Sequence, residues 1–513
     1  MFDASRTPKQ PQDIPADEPT RRGILATAGR GRRGRAGRTA VVSRGLRSRL
    51  GAAFAAAGVS VLLAAAPPTA AATSTSYAGS TSDGGSWVAD VPSAWNGTLL
   101  LFSHGFGPLQ AVDVPSPLAK QPLLDLGYAL AGSSYDPTGS PWALGSALRD
   151  QFQTLADVRR DLPSAPKRVV AYGISMGGLI TALEDQHANG RVDGALTACG
   201  VVAGGIQLNN YQLDSEYTIR RLLAPKASIR LVRFASPAAG TSTGKKLDAA
   251  AQRAQKTAKG RARLALAMAL LNVPTWAPGE PMPALKAYDT QEKEQYDFEF
   301  TGSTTTMDGL ESSRASVEQA AGGNGSWTVG VNFAGLLARS PYAPEVKALY
   351  HQAGLNINDD LATLTRGSNI KADRNAIQWL QNTSVPTGHL QVPELDMHTI
   401  ADQRAPVQQE NYYAHTVKES GSSDLLRQAF VQRQAHCNFT LAEFVAGLLA
   451  VQQRLTTGKW GSVAEPNQLQ ATANSLGAAF GGAAFIPYHP GQLSGDNGPF
   501  NPHLDNPSGS GSS

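Results

Sequence analysis

"RVVAYGISMGGLITAL", Arg168 to Leu183, is the stretch whose reading decides the fold. Its first half is an apolar, β-branched run of strand length, and from Met176 onward the apolar residues recur at helical spacing. Between the two stands Ser175, inside Gly173-Ile174-Ser175-Met176-Gly177. A strand that turns sharply into a helix forces the corner residue into a strained backbone region and holds its hydroxyl out above the sheet edge. Side chains two positions to either side would crowd that turn, so glycine stands at both. The N–H groups of the helix's first turn point toward the same spot and favour negative charge there. These residues nominate Ser175 as a nucleophile, with a plain turn as the alternative.

Outward from this corner, short apolar runs alternate with helical ones over 73–205, the pattern of an α/β sheet. SWVADVP and TLLLFSHG read as strands, DLGYALAGSSY as a helix end and a third strand, and ALGSALRDQFQTLADVRRDL as an amphipathic helix. The helix after Ser175 closes at Gly190, and VDGALTACGVVAGG reads as the next strand, carrying Cys199. Over 206–387 the strand pattern stops. That is too much chain for a loop, so a helical cap is expected there, with KKLDAAAQRAQKTAKGRARLALAMALLNV as its longest helical stretch. APEVKALYHQAGL, DDLATL and ADRNAIQWLQN read as further helices. The sheet resumes over 388–490 with LQVPELDMHTIADQRAPV, then the helix LAEFVAGLLAVQQRL, and 491–513 has the composition of a flexible tail.

A nucleophilic serine needs a base, an acid that orients the base, and an oxyanion hole. The hole is expected from the N–H of Met176 and from the N–H of Phe106, on the loop after LLLFSHGFGP. His104 precedes the serine and reads as a brace for that loop. For the acid, Asp402 lies in the polar turn of DMHTIADQRAPV, whereas Asp396 falls inside the strand and is the weaker candidate. For the base, the order serine, acid, histidine selects His436 in RQAHCNFTLAEF, just before a capping box, Thr440-x-x-Glu443. His415 is expected on a helix, and His489 comes late, where a loop can still reach the site. His187, His351, His389, His398 and His503 read as core or surface residues. There is no clustered zinc-ligand spacing, calcium loop or phosphate-binding glycine loop, so neither a metal nor a cofactor is expected.

The chain carries 45 Lys and Arg against 41 Asp and Glu, a formal charge of +4. Residues 1–50 hold twelve of the former and four of the latter, which leaves 33 against 37, or −4, for the remainder. The body therefore has no basic footprint for nucleic acid. The basic stretch runs into GAAFAAAGVSVLLAAAPPTAAA, and together they read as a secretory leader over 1–72, cleaved near Ala72. Its apolar run is shorter than the roughly 20 residues of a membrane span, so a secreted protein with no stable membrane anchor is expected. TRRGIL has the look of a twin-arginine signal, but the apolar run begins far downstream, which favours the Sec route. The only two cysteines, Cys199 and Cys437, form an even pair in an oxidising compartment and suggest one disulfide, with two buried thiols as the alternative. A bond between them fixes the histidine loop against the sheet edge that carries Ser175.

Through SHGFG, GISMGG, ADQRAPV and AHCNFT, in that order, the chain resembles the α/β-hydrolase superfamily. The resemblance implies an α/β-hydrolase fold, a mostly parallel central sheet with the inserted helical cap. The leader resembles those of secreted actinobacterial proteins. The His436-Cys437 pair is distantly similar to the tannase and feruloyl esterase family, but Ile174 precedes the serine and the other cysteine is Cys199, so tannin or feruloyl substrates do not follow. GISMGG also resembles the elbow of bacterial polyester hydrolases, which lack a cap of this size. What this implies is a secreted serine carboxylic ester hydrolase, acting on a small-molecule or polymeric ester through Ser175, His436 and Asp402. The alternatives are an aminopeptidase or acylase that cleaves amides, a polyester depolymerase, and a binding protein that kept the fold without catalysis. Trp276, Phe298, Phe300, Trp327, Phe333 and Tyr342 either line a pocket or, for most of them, form the cap's own core.

Overall fold

The apolar runs on either side of Ser175 lie at the centre of a nine-stranded sheet in a computed structural model that describes residues 72–301 and 307–497. Residues 1–71 of the expected leader and His503 lie outside the described residues. The strands are β1 (Ser74–Ser80), β2 (Ser86–Pro92), β3 (Thr98–Ser103), β4 (Ala129–Ser133), β5 (Arg168–Ile174), β6 (Gly194–Ala198), β7 (Glu394–Ala401), β8 (Leu426–Gln434) and β9 (Phe485–Ile486). They lie side by side in the order β1-β2-β4-β3-β5-β6-β7-β8-β9. From β4 through β8 all neighbours are parallel, while β1, β2 and β9 join antiparallel at the edges.

Strands covered on both faces must be apolar throughout, and β3, β4 and β6 are buried along their whole length. Alternate residues of β3 serve opposite faces. Leu100 and Phe102 pack with helices α1 (Pro117–Asp125), α14 (Leu441–Thr457) and α15 (Pro466–Ser475), and Leu99 and Leu101 pack with α2 (Ala147–Asp161). The register sets Ser103 level with Gly173, Gly173 with Thr197, and Ala198 with Met397. The loops after β3, β5, β6 and β7 therefore leave the sheet along one edge, where open α/β sheets bind ligands.

From β5 the chain enters α3 (Met176–Gln186), and after β6 it leaves the sheet for an all-helical insertion. Its helices are α4 (Gly204–Leu223), α5 (Pro237–Ala254), α6 (Ala258–Leu271), α7 (Tyr288–Tyr296), α8 (Met307–Ala321), α9 (Phe333–Arg339), α10 (Ala343–Gln352), α11 (Ile357–Gly367) and α12 (Arg374–Thr383). The chain rejoins the sheet at β7, and α13 (Gln408–Glu419) links β7 to β8.

The expected longest helix is broken. Thr257 caps α6, its Oγ1 accepting the Gly260 N–H at 3.0 Å, and a Cβ on Gly260 would stand 1.9 Å from the Ala254 carbonyl oxygen, so α5 and α6 meet at a tight corner. The longest helix of the insertion is instead α4, with 20 residues. Phe298, Phe300, Trp327 and Phe333 are buried within the insertion. At the head of the expected tail, Ser494 exchanges two hydrogen bonds with Asn272, at 2.8 and 2.9 Å, and Leu493 is buried. Residues 491–497 are thus anchored rather than free.

Candidate active site

The corner between β5 and α3 holds Ser175 at φ 59° and ψ −124°, a region that L-residues seldom occupy. Close approach explains the flanking glycines. A Cβ on Gly177 would stand 1.9 Å from the Ser103 carbonyl oxygen, and one on Gly173 would stand 2.2 Å from the Gly177 carbonyl oxygen. The Ser175 N–H donates to the Ala198 carbonyl at 3.1 Å, which ties the corner to the end of β6.

Three elements deliver their side chains to this corner. Ser175 Oγ donates to His436 Nε2 at 2.8 Å, and His436 Nδ1 donates to Asp402 Oδ2 at 2.7 Å. His436 sits on the loop after β8 between Ala435 (φ 73°) and Cys437 (φ 54°), both left-handed, so the loop curls back toward the sheet edge. Cys437 is joined to Cys199, just past the end of β6, and its Sγ lies 3.5 Å from His436 Nε2. The disulfide therefore tethers the histidine loop to the strand beside the serine.

Asp402 is wholly buried at the end of β7. Burial, the largest single influence, pushes its carboxyl up, but His436, His398 and the Ala405 N–H together outweigh it, so it is held below the usual carboxylate range. Its other oxygen, Oδ1, accepts the N–H groups of Arg404 and Ala405, at 2.8 and 2.9 Å. Asp396, the weaker candidate, lies within β7, bonded to Thr197 Oγ1 at 2.6 Å and Gln428 Nε2 at 3.1 Å, and has no part in this chain of contacts.

One residue that the sequence reading set aside stands close to the site. His398 is buried in β7, its Nε2 donating to the Ala405 carbonyl at 2.7 Å and its Nδ1 lying 2.5 Å from Glu410 Oε1. Since Nε2 carries a hydrogen, the short Nδ1–Glu410 contact holds one further proton shared between ring and carboxylate. His398 Nε2 lies 3.8 Å from Asp402 Oδ2, the oxygen that accepts from His436. A histidine inside a buried strand needs a partner, and that requirement was the available signal.

The other residues fall as follows. His104 is buried, its ring stacked on Tyr135 with centroids 4.2 Å apart and its Nδ1 donating to the Gly105 carbonyl at 2.8 Å. It braces the loop that brings Gly105 against Ser175, where a Gly105 Cβ would stand 3.3 Å from the serine Cβ. Phe106, on the same loop, and Met176, first residue of α3, line one cavity with Ser175 and His436. His415 lies on α13, exposed and paired with Glu419 at 3.0 Å. Among the described residues, the one group of histidine, cysteine and carboxylate side chains spaced for a metal ion is Cys199, His436 and Cys437, and its two sulfurs are bonded to each other and present no thiolate.

The cavity measures about 520 Å³. Its aromatic wall comes from Phe102, Phe106 and Trp142 of the sheet domain, and the insertion contributes Leu208, Leu310 and Val317. None of the six aromatic residues considered from sequence lines it.

The strand order, with its antiparallel second strand and a serine at the corner after β5, is that of the α/β-hydrolase fold. No protein-family model matches the chain. It is 28% identical over 418 residues to the o-phthalyl amidase of Xanthobacter agilis, covering 77% of this chain and 90% of that one. Among solved structures it is similar to feruloyl esterase B from Aspergillus oryzae, with 12% identity, a TM-score of 0.39, and 74% and 80% of the two chains covered. It is also similar to an acylaminoacyl peptidase from Pyrococcus horikoshii, with 11% identity and a TM-score of 0.31 over 72% of this chain, but it spans only 38% of that enzyme's length. The fold and the amidase relative agree on the coarse class, a hydrolase of the α/β-hydrolase fold.

Proposed function

We propose that the protein is a serine hydrolase that cleaves carboxylic esters through an acyl-enzyme. The supporting observation is the unbroken run of hydrogen bonds from Ser175 through His436 to Asp402 at the cavity floor. Ser175 Oγ attacks the acyl carbon as its proton passes to His436 Nε2, and the Met176 and Phe106 N–H groups hold the oxyanion. Collapse of the tetrahedral species expels the alcohol, which takes the proton from His436. Water then gives a proton to the same nitrogen, attacks the acyl-enzyme, and releases the carboxylic acid as Ser175 recovers its hydrogen. Asp402 keeps Nδ1–H in place and stabilises the imidazolium formed in each half.

A second reading, amide cleavage, is favoured by the amidase relative, and the same groups serve it once His436 protonates the departing amine. A cavity of this size suits a small molecule. Export is supported by the disulfide, and among the described residues no helix is long and apolar enough to cross a membrane.

The deciding experiment compares wild type with Ser175→Ala on 4-nitrophenyl esters of rising acyl length and on matching 4-nitroanilides. Turnover that falls by about 10⁴-fold or more in the variant is expected. Esterase activity that survives the substitution refutes the assignment, and the ratio of ester to anilide turnover in the wild type decides between the two readings.

A further inference from the structure

The cavity in front of Ser175 has largely apolar walls, and no aspartate or glutamate lines it. Its permanent charges are two arginines, Arg314 and Arg404. Arg314 is fully engaged. It is buried, pairs with Glu216 at 2.8 Å and Glu311 at 3.3 Å, and donates to the Asn209 carbonyl and to Ser326 Oγ, both at 3.1 Å. Arg404 differs in each respect. It is exposed, and its guanidinium has no hydrogen bond or ion pair with any described residue. Its main chain is held on both sides, the N–H donating to Asp402 Oδ1 at 2.8 Å and the carbonyl accepting from Tyr211 Oη of α4 at 3.4 Å. The acid whose field reaches it, Glu299, is buried with both carboxyl oxygens unpartnered, and burial pushes that carboxyl well above the usual range, which favours its uncharged form. The result is an anchored, uncompensated cation on the wall of an aromatic-lined cavity, two residues from the carboxylate that holds His436.

We propose that Arg404 is a carboxylate-recognition residue, and that the substrates of this site are monoesters or monoamides of dicarboxylic acids, aromatic ones above all, whose free carboxylate pairs with its guanidinium. A guanidinium meets a carboxylate through two parallel N–H···O bonds, a geometry that a neutral group of the same shape does not reproduce. The substrate class rests on Ser175 as nucleophile, whereas the binding role of Arg404 does not.

The test uses two 4-nitrophenyl esters of equal shape, one of isophthalic acid with its second carboxyl free and one in which that group is the neutral carboxamide. The meta placement keeps the carboxylate from assisting its own ester's hydrolysis. Wild type is expected to favour the carboxylate ester in kcat/KM by about tenfold or more, Arg404→Gln to abolish most of that preference, and Arg404→Lys to keep part of it. A wild type without the preference, or an Arg404→Gln variant that retains it, overturns the proposal. Should neither ester turn over and a fluorophosphonate fail to label Ser175, the hydrolase reading falls, and calorimetric binding of isophthalate against benzoate decides Arg404 alone. Isophthalate binding weakened about tenfold in Arg404→Gln upholds its role, and equal binding by both proteins ends it.

Discussion

A carboxyl group buried as completely as Asp402 would ordinarily keep its proton, and the side chains around it reverse that tendency. His436 donates to one oxygen, Arg404 and Ala405 donate to the other, and the group stays ionised. Asp402→Asn preserves an oxygen for those two N–H groups but loses the charge that holds His436 in its working tautomer. Turnover is expected to fall by about 10⁴-fold with the far-ultraviolet spectrum unchanged, and a variant within tenfold of wild type removes Asp402 from the mechanism. Ser175, Asp402 and His436 were legible because each follows a strand in an order the fold dictates. Arg404 and His398 were not. Arg404 is marked only by the partner its guanidinium lacks, and a histidine in a buried strand signals the need for a partner without telling that Glu410 of α13 supplies it.

Helix α14 begins where its sequence announces a start. Thr440 Oγ1 accepts the Glu443 N–H at 3.3 Å and Glu443 Oε2 accepts the Thr440 N–H at 2.8 Å. The same glutamate binds Arg433 of β8 at 3.0 Å and the Ala484 N–H at 2.8 Å, so one side chain joins the strand before the histidine loop, the helix after it and the approach to β9. Thr440→Ala should lower stability by about 1 kcal/mol, read as a shift of the urea midpoint at unchanged slope. A null shift would show that water replaces the cap. The capping box was readable because its chemistry is local. The corner between α5 and α6 was not, since the apolar pattern continues through it, and α4 escaped notice because Asn209, Asn210, Asp214, Ser215 and Glu216 are polar and yet buried.

At the scale of the molecule, the interior stores acid. Burial pushes Glu184 and Glu345 up to about 8, and Asp185 and Glu292 to about 7. Each is raised above its value in the unfolded chain, about 4. Their stabilising contribution is therefore complete below that value and is lost as pH rises through the folded one, because the unfolded chain releases these protons first. Asp402 acts in the opposite sense, but only in acid below its ordinary range. The free energy of unfolding is expected to be greater at pH 5 than at pH 8, and Glu345→Gln should flatten the decline; equal stability at the two values would mean that these carboxyls ionise without cost.

The disulfide also has a topological consequence. Cys199 precedes the insertion and Cys437 follows it, at a sequence separation of 238, so every helix from α4 to α12 lies within one covalent ring. Closing a ring of that length is worth about 5 kcal/mol against the unfolded chain in the chain-entropy description. A protease that nicks any bond of the insertion opens the ring without dividing the molecule. Ser175 and His436, carried on opposite sides of the cut, leave as a single particle until a reductant separates them.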